Sequence, residues 1–160
     1  MKPEPRVELV HLPEMTVVGY EIRTSMAEER SAREIPAFWE LFHREQRQEA
    51  LPASTVPGLL LGLCHDEGAD GSFRYVIGVM AADSASALDD QVRLVLPAAR
   101  CARVTVQGAM SRAIPEGFRW FHREWLPATG LTAAAGVQLE WYDHRTCGEV
   151  PEVDLLIPVK

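Results

Sequence analysis

Cysteine is scarce in this chain. Cys64, Cys101 and Cys147 are an odd set without a CxxC pair, which excludes a disulfide framework and a paired zinc knuckle and makes reduced thiols in a cytosol the expectation. Positive charge is also short. Lys and Arg number 16 against 23 Asp and Glu, a net charge of −7 with His neutral, so nothing draws the protein to phosphate backbones or anionic lipid, and neither direct nucleic-acid binding nor a membrane partner is expected. Long apolar runs are missing as well. The stretch from Val56 to Cys64 is interrupted by Pro57 and Gly58 and falls far short of a membrane span, and no charged-then-apolar leader follows Met1, so the expected location is the cytoplasm. There is no G-x-S-x-G elbow and no phosphate-binding glycine loop. No cofactor is expected. Cys64-His65 and His144-x-x-Cys147 carry metal-ligand types but lie at different strand ends without paired short spacing, so no metal is expected either.

What is present suits a folded domain. Apolar residues make up 47% and charged residues 24% of 160, an ordinary globular composition at single-domain length.

The chain also repeats itself. Ile35-Pro36 followed by Phe38, Trp39, Phe42, His43, Arg44 and Glu45 returns as Ile114-Pro115 followed by Phe118, Phe121, His122, Arg123 and Glu124, at one constant offset. Val7, Leu9, Val10, Leu12 and Pro13 are answered by Val92, Leu94, Val95, Leu96 and Pro97. Gly58-Leu-Leu-Leu61 is answered by Gly136-Val-Gln-Leu139, and Ile77-Gly-Val79 by Ile157-Pro-Val159. An ordered, multi-segment repeat fixes the unit that folds. It divides the chain into a module at about 6–82, a polar connector at 83–91 and a second module at about 92–160.

Within each module the period changes in the same order. Val7 to Leu12 and Met15 to Thr24 are rich in Val, Ile, Thr and Tyr and flank the turn signal Pro13-Glu14, so a strand pair is expected to open the chain. From Ser31 to Ala50 the apolar residues Ile35, Trp39 and Phe42 recur at helical spacing. Ser31-Ala-Arg-Glu34 has capping-box form, whereas Pro36 suits a first turn, so the helix starts either at Ser31 or nearer Ile35. Gly58 to Cys64 and Phe73 to Ala81 read as strands around the turn Asp66–Ser72. The second module predicts strands at Val92 to Leu96, Cys101 to Gln107, Gly136 to Tyr142 and Val153 to Val159. Its helix should run from Ile114 to Trp125 and stop at Pro127 and Gly130. The expected class is α+β: two modules of antiparallel strands with one long helix each, related by an approximate two-fold axis, with a ligand cleft between them.

Function should lie where the copies differ. Gly62 falls opposite Glu140, Leu63 opposite Trp141, Cys64 opposite Tyr142 and His65 opposite Asp143. Strand alternation puts Gln138, Glu140 and Tyr142 on one face and Val137, Leu139 and Trp141 on the other. Alternation leaves two readings of the Glu140 face: it is solvated, as one face of an antiparallel sheet commonly is, or it lines a cleft. In an apolar cleft a carboxylate takes up a proton or awaits a cation, and aromatic walls would add about 2 kcal/mol per desolvated cation–π contact.

Together these pieces resemble the GyrI-like (DNA-gyrase-inhibitor-like) effector-binding domains, also found at the C-termini of AraC-class and MerR-class multidrug-sensing regulators. The resemblance is carried by Val7-Glu-Leu-Val10 with Val17-Val-Gly19, Ile35-Pro-Ala-Phe-Trp39, Tyr75-Val-Ile-Gly78, the segment from Trp125-Leu-Pro127 to Leu139-Glu-Trp-Tyr-Asp143, and Val153-Asp-Leu-Leu-Ile-Pro-Val159, and covers essentially the whole chain. It implies a groove for apolar, often cationic, small molecules and a key buried acid, which here falls on Glu140. It makes Tyr142, Trp141, Tyr75, Trp39, Phe42 and Trp120 candidate wall residues, each equally suited to ordinary core packing.

The regulators carry a helix-turn-helix before this domain, while here the repeat begins by Val7, so a stand-alone sensor is expected, acting through a partner regulator or topoisomerase. Two alternatives accompany this reading. One is a GyrI-like hydrolase of reactive cyclopropane-bearing toxins, with Glu140 as general acid or base. The other is a protein-interaction module related to gyrase inhibitors. Binding without turnover is the leading expectation.

Overall fold

The computed structural model describes residues 4–160. Its strands are β1 Arg6–Leu12, β2 Met15–Ser25, β3 Leu60–His65, β4 Ser72–Ala81, β5 Val92–Leu96, β6 Ala99–Gln107, β7 Gln138–Tyr142 and β8 Glu152–Pro158, and its α-helices are α1 Arg30–Arg44, α2 Met110–Trp120 and α3 Leu126–Thr129. The class is α+β with antiparallel sheet, as the repeat implies.

The compact units are not the sequential modules. One unit comprises the residues up to Glu14 together with Pro97–Lys160, and the other comprises Met15–Leu96; they are called unit 1 and unit 2 below. The two opening strands do form, but they are not each other's partner: β1 pairs with β6, and β5 pairs with β2. Each first strand has therefore been exchanged between the sequence halves. Pro13-Glu14 explains why. A two-residue hairpin favours left-handed backbone at its centre, supplied by Gly or Asn, and the pyrrolidine ring of Pro13 fixes φ on the opposite side of zero. The chain passes on instead of folding back.

In unit 2 the strand order is β3-β4-β2-β5, all antiparallel. Gly19 and Gly78 are directly opposed on β2 and β4; a Cβ on Gly78 would come 2.5 Å from the Val18 carbonyl oxygen, so the close approach of these strands requires glycine. α1 covers one sheet face, where Phe38, Phe42, Tyr20, Phe73, Tyr75 and Ile77 form a core. The helix starts at Arg30 and is entered through left-handed Glu28 and Glu29, with no side-chain cap from Ser31. Pro36 sits in its interior and not in a first turn. It also ends earlier than its apolar period suggests: Gln46 is left-handed, and Arg47–Ala50 form a separate 3-10 turn.

Unit 1 has the order β1-β6-β8-β7. Its helix begins at Met110, contains Pro115, and passes through a five-residue π-helical turn, Phe121–Trp125, into α3. Pro127 does not stop it; Gly130, with φ 74°, does. Beneath α2 lies a core of Ala102, Val104, Val106, Phe121, Val153, Leu155 and Ile157. A Cβ on Gly117 would meet Val106 Cγ1 at 2.6 Å, so the helix rests on the sheet at a residue without a side chain.

Candidate functional site

Strand pairing sharpens the internal match. Gly62 lies opposite Ile77 on β3–β4, and Glu140 lies opposite Leu155 on β7–β8. The counterpart of Ile77 is therefore Leu155, two residues from the Ile157 that sequence similarity selects; a two-residue shift keeps the face and hides the difference. One rung on, Cys64 faces Tyr75, and the equivalent place on β8 is Val153.

Unit 1 carries the acid. Glu140 shares the face of Leu155, the face covered by α2, and is only 8% exposed. The solvated reading of this face is thereby overturned. The Tyr142 hydroxyl donates to Glu140 Oε1 at 2.6 Å, a contact made possible by the i, i+2 spacing of one strand face, and the ring of Tyr142 packs against the α2 core.

Unit 2 carries aromatics at the matching level. Tyr75 is fully buried and accepts a hydrogen bond from Trp39 Nε1 at 2.9 Å; Phe38 meets its ring edge-on at 6.5 Å between centroids. Trp39 is half-buried and stacks on His43 at 5.7 Å. Phe42 is sealed in the core, with its ring edge-on to Tyr20, so it supports the helix.

The remaining candidates lie elsewhere in unit 1. Trp120 packs at the margin of the α2 core. Trp141 points to the opposite sheet face, where it lines a groove of about 530 Å³ with Arg103, Asp143, Arg145 and Asp154. Asp154, only 6% exposed, accepts from Thr105 Oγ1 at 2.7 Å and from Arg145 Nη2 at 2.7 Å. Burial pushes the Asp143 carboxyl up, but its hydrogen bonds from Arg145 outweigh this and hold it below the usual carboxylate range, and the same bonds raise the Arg145 guanidinium. Sequence reasoning missed this network. The available signal was Asp154 itself, a lone carboxylate inside Val153-Asp-Leu-Leu-Ile157.

The histidines of the repeated Phe-His-Arg-Glu segments, His43 and His122, are both exposed. His65 bonds Glu21 Oε2 through Nε2 at 2.8 Å. Among the described residues, no cluster of three or more His, Cys, Asp or Glu could hold a metal ion, and no helix is long and apolar enough to cross a membrane.

Comparison with known proteins places the fold. Residues 8–159 match the family model Cass2, the integron-associated effector binding protein. The chain belongs to this family. Over 154 residues it is 30% identical to the transcriptional regulator BrlR of Pseudomonas aeruginosa, covering 94% of the present chain and 54% of BrlR, so this Cass2-family chain spans about half the length of that relative. Its fold is similar to that of SAV2435 bound to tetraphenylphosphonium, with TM-score 0.78, 23% identity and coverage of 97% and 94% of the two chains. It is also similar to the integron cassette protein VCH_CASS2 of Vibrio cholerae, with TM-score 0.67, 15% identity and coverage of 96% and 95%. At these identities the two structures establish a shared fold. The GyrI-like resemblance read from the residues is borne out as an effector-binding fold. The expected topoisomerase partner gains no support from these similarities.

Proposed function

We propose that this effector-binding protein takes up bulky apolar cations and that Glu140 is their charge partner, with Tyr142 holding the carboxylate in place. The observation that carries the reading is the 8% exposure of Glu140 on a helix-covered face, with a phenol donating to it at 2.6 Å. A lipophilic cation brings opposite charge to a buried carboxylate together with apolar area to bury. SAV2435, bound to tetraphenylphosphonium, supports this ligand class.

Binding is to be read out by a partner transcription regulator, in line with BrlR, and Cys64, Cys101 and Cys147, all free, suit a reducing cytoplasm.

Titration calorimetry with tetraphenylphosphonium is the test. Saturable one-to-one binding without turnover is expected. An absence of heat and of any thermal shift at millimolar ligand would refute the reading.

A further inference from the structure

We infer that Arg145, on the sheet face opposite the acid, is a positioning residue for effector recognition: by locking Asp143 to Asp154 it fixes the end of β7 from which Tyr142 reaches Glu140. This rests on the ligand reading above.

The ladder between β7 and β8 runs from Leu139 to Trp141, with Trp141 opposite Asp154. Tyr142 follows that ladder, and Asp143 comes next. Asp143 opens the 3-10 turn His144–Cys147 and accepts the Arg145 backbone N–H at 3.0 Å. The Arg145 side chain then spans two carboxylates. Its Nε donates to Asp143 Oδ1 at 3.0 Å and its Nη2 to Asp143 Oδ2 at 3.0 Å, while Nη2 and Nη1 donate to Asp154 Oδ2 and Oδ1 at 2.7 and 3.3 Å. Asp154 is anchored in turn by Thr105 of β6.

A planar guanidinium fork is the side chain suited to such two-sided bidentate bridging. The bridge joins the residue after Tyr142 to the middle of the sheet. Without it, the strand end gains freedom, and the 2.6 Å contact from Tyr142 to Glu140 is the geometry it would spoil. Displacements of about 1 Å are enough to weaken such contacts strongly.

The link can be read without any ligand. The Raman doublet of tyrosine reports whether the hydroxyl donates a strong hydrogen bond, and the difference between wild type and Tyr142→Phe isolates the Tyr142 component. Arg145→Met should lose that component, while Arg103→Met, which breaks the Arg103–Glu8 pair on the same face, should keep it. Tetraphenylphosphonium affinity should fall about as far in Arg145→Met as in Tyr142→Phe, and no further in the double variant. If Arg145→Met does not fold, Asp143→Asn is read by the same criteria. A Tyr142 component that persists without the bridge, or additive losses in the double variant, would overturn the inference. Failure of wild type to bind the cation would refute the proposed function and leave the Raman result to stand by itself.

Discussion

The two units solve the same packing problem with different chemistry at matched positions. Unit 2 has Gly62 and Cys64 on β3 and a tyrosine across the ladder on β4, where Tyr75 accepts from Trp39. Unit 1 has Glu140 and Tyr142 together on β7, with Leu155 and Val153 on the neighbouring strand. The tyrosine has changed strands, and with it the hydrogen bond has changed from an indole–phenol pair to a phenol–carboxylate pair. The helices differ in parallel: Phe38 holds α1 against Tyr75, whereas Gly117 lets α2 rest on Val106 and Leu155. The frame is shared, and at the matched positions of Gly62 and Glu140 only unit 1 carries a carboxylate.

This contrast can be broken in several ways. The largest effect is expected where the units agree. Phe42 and Phe121 are repeat equivalents, each at most 1% exposed, so Phe42→Ala and Phe121→Ala should each destabilise by about 3–5 kcal/mol in denaturant unfolding; a much smaller loss at either would end the equivalence. Gly117→Ala should cost about 1–3 kcal/mol by overpacking against Val106, and a stabilising result, as helix propensity alone predicts, would show that α2 has room to move.

Trp39→Phe removes the indole donor to Tyr75 and should lower stability by about 1 kcal/mol, an effect confined to unit 2. The smallest effect is acidic. Because Asp143 is held below its ordinary value by Arg145, its contribution is present at neutral pH and is lost as pH falls through the depressed native value, below about pH 4. Arg145→Met should therefore flatten the acid limb of a melting-temperature profile; an unchanged limb would show that the bridge adds no pH-dependent stability.

Much of the frame was legible because repeats and periodicity record packing. The strand and helix order follows from them, and so does the contrast of Gly62 with Glu140. The pairing was not legible. Pro13-Glu14 marks a chain reversal in sequence, but only its backbone requirements decide whether β1 folds back or pairs elsewhere. Burial of Glu140 was similarly open, since period-two alternation identifies two faces without saying which one a helix covers. The Arg145 bridge escaped because Asp143, Arg145 and Asp154 are brought together by a turn and a ladder, which leave no spacing motif.

The central claim is that the charge of unit 1 recognises the ligand. It is tested most directly by the calorimetric affinity of Glu140→Gln for tetraphenylphosphonium, since the amide keeps the shape and removes the charge. The account predicts a loss of roughly tenfold to a hundredfold, the range of a charge-assisted contact, in a protein that melts as a folded domain. An affinity equal to that of wild type would contradict it.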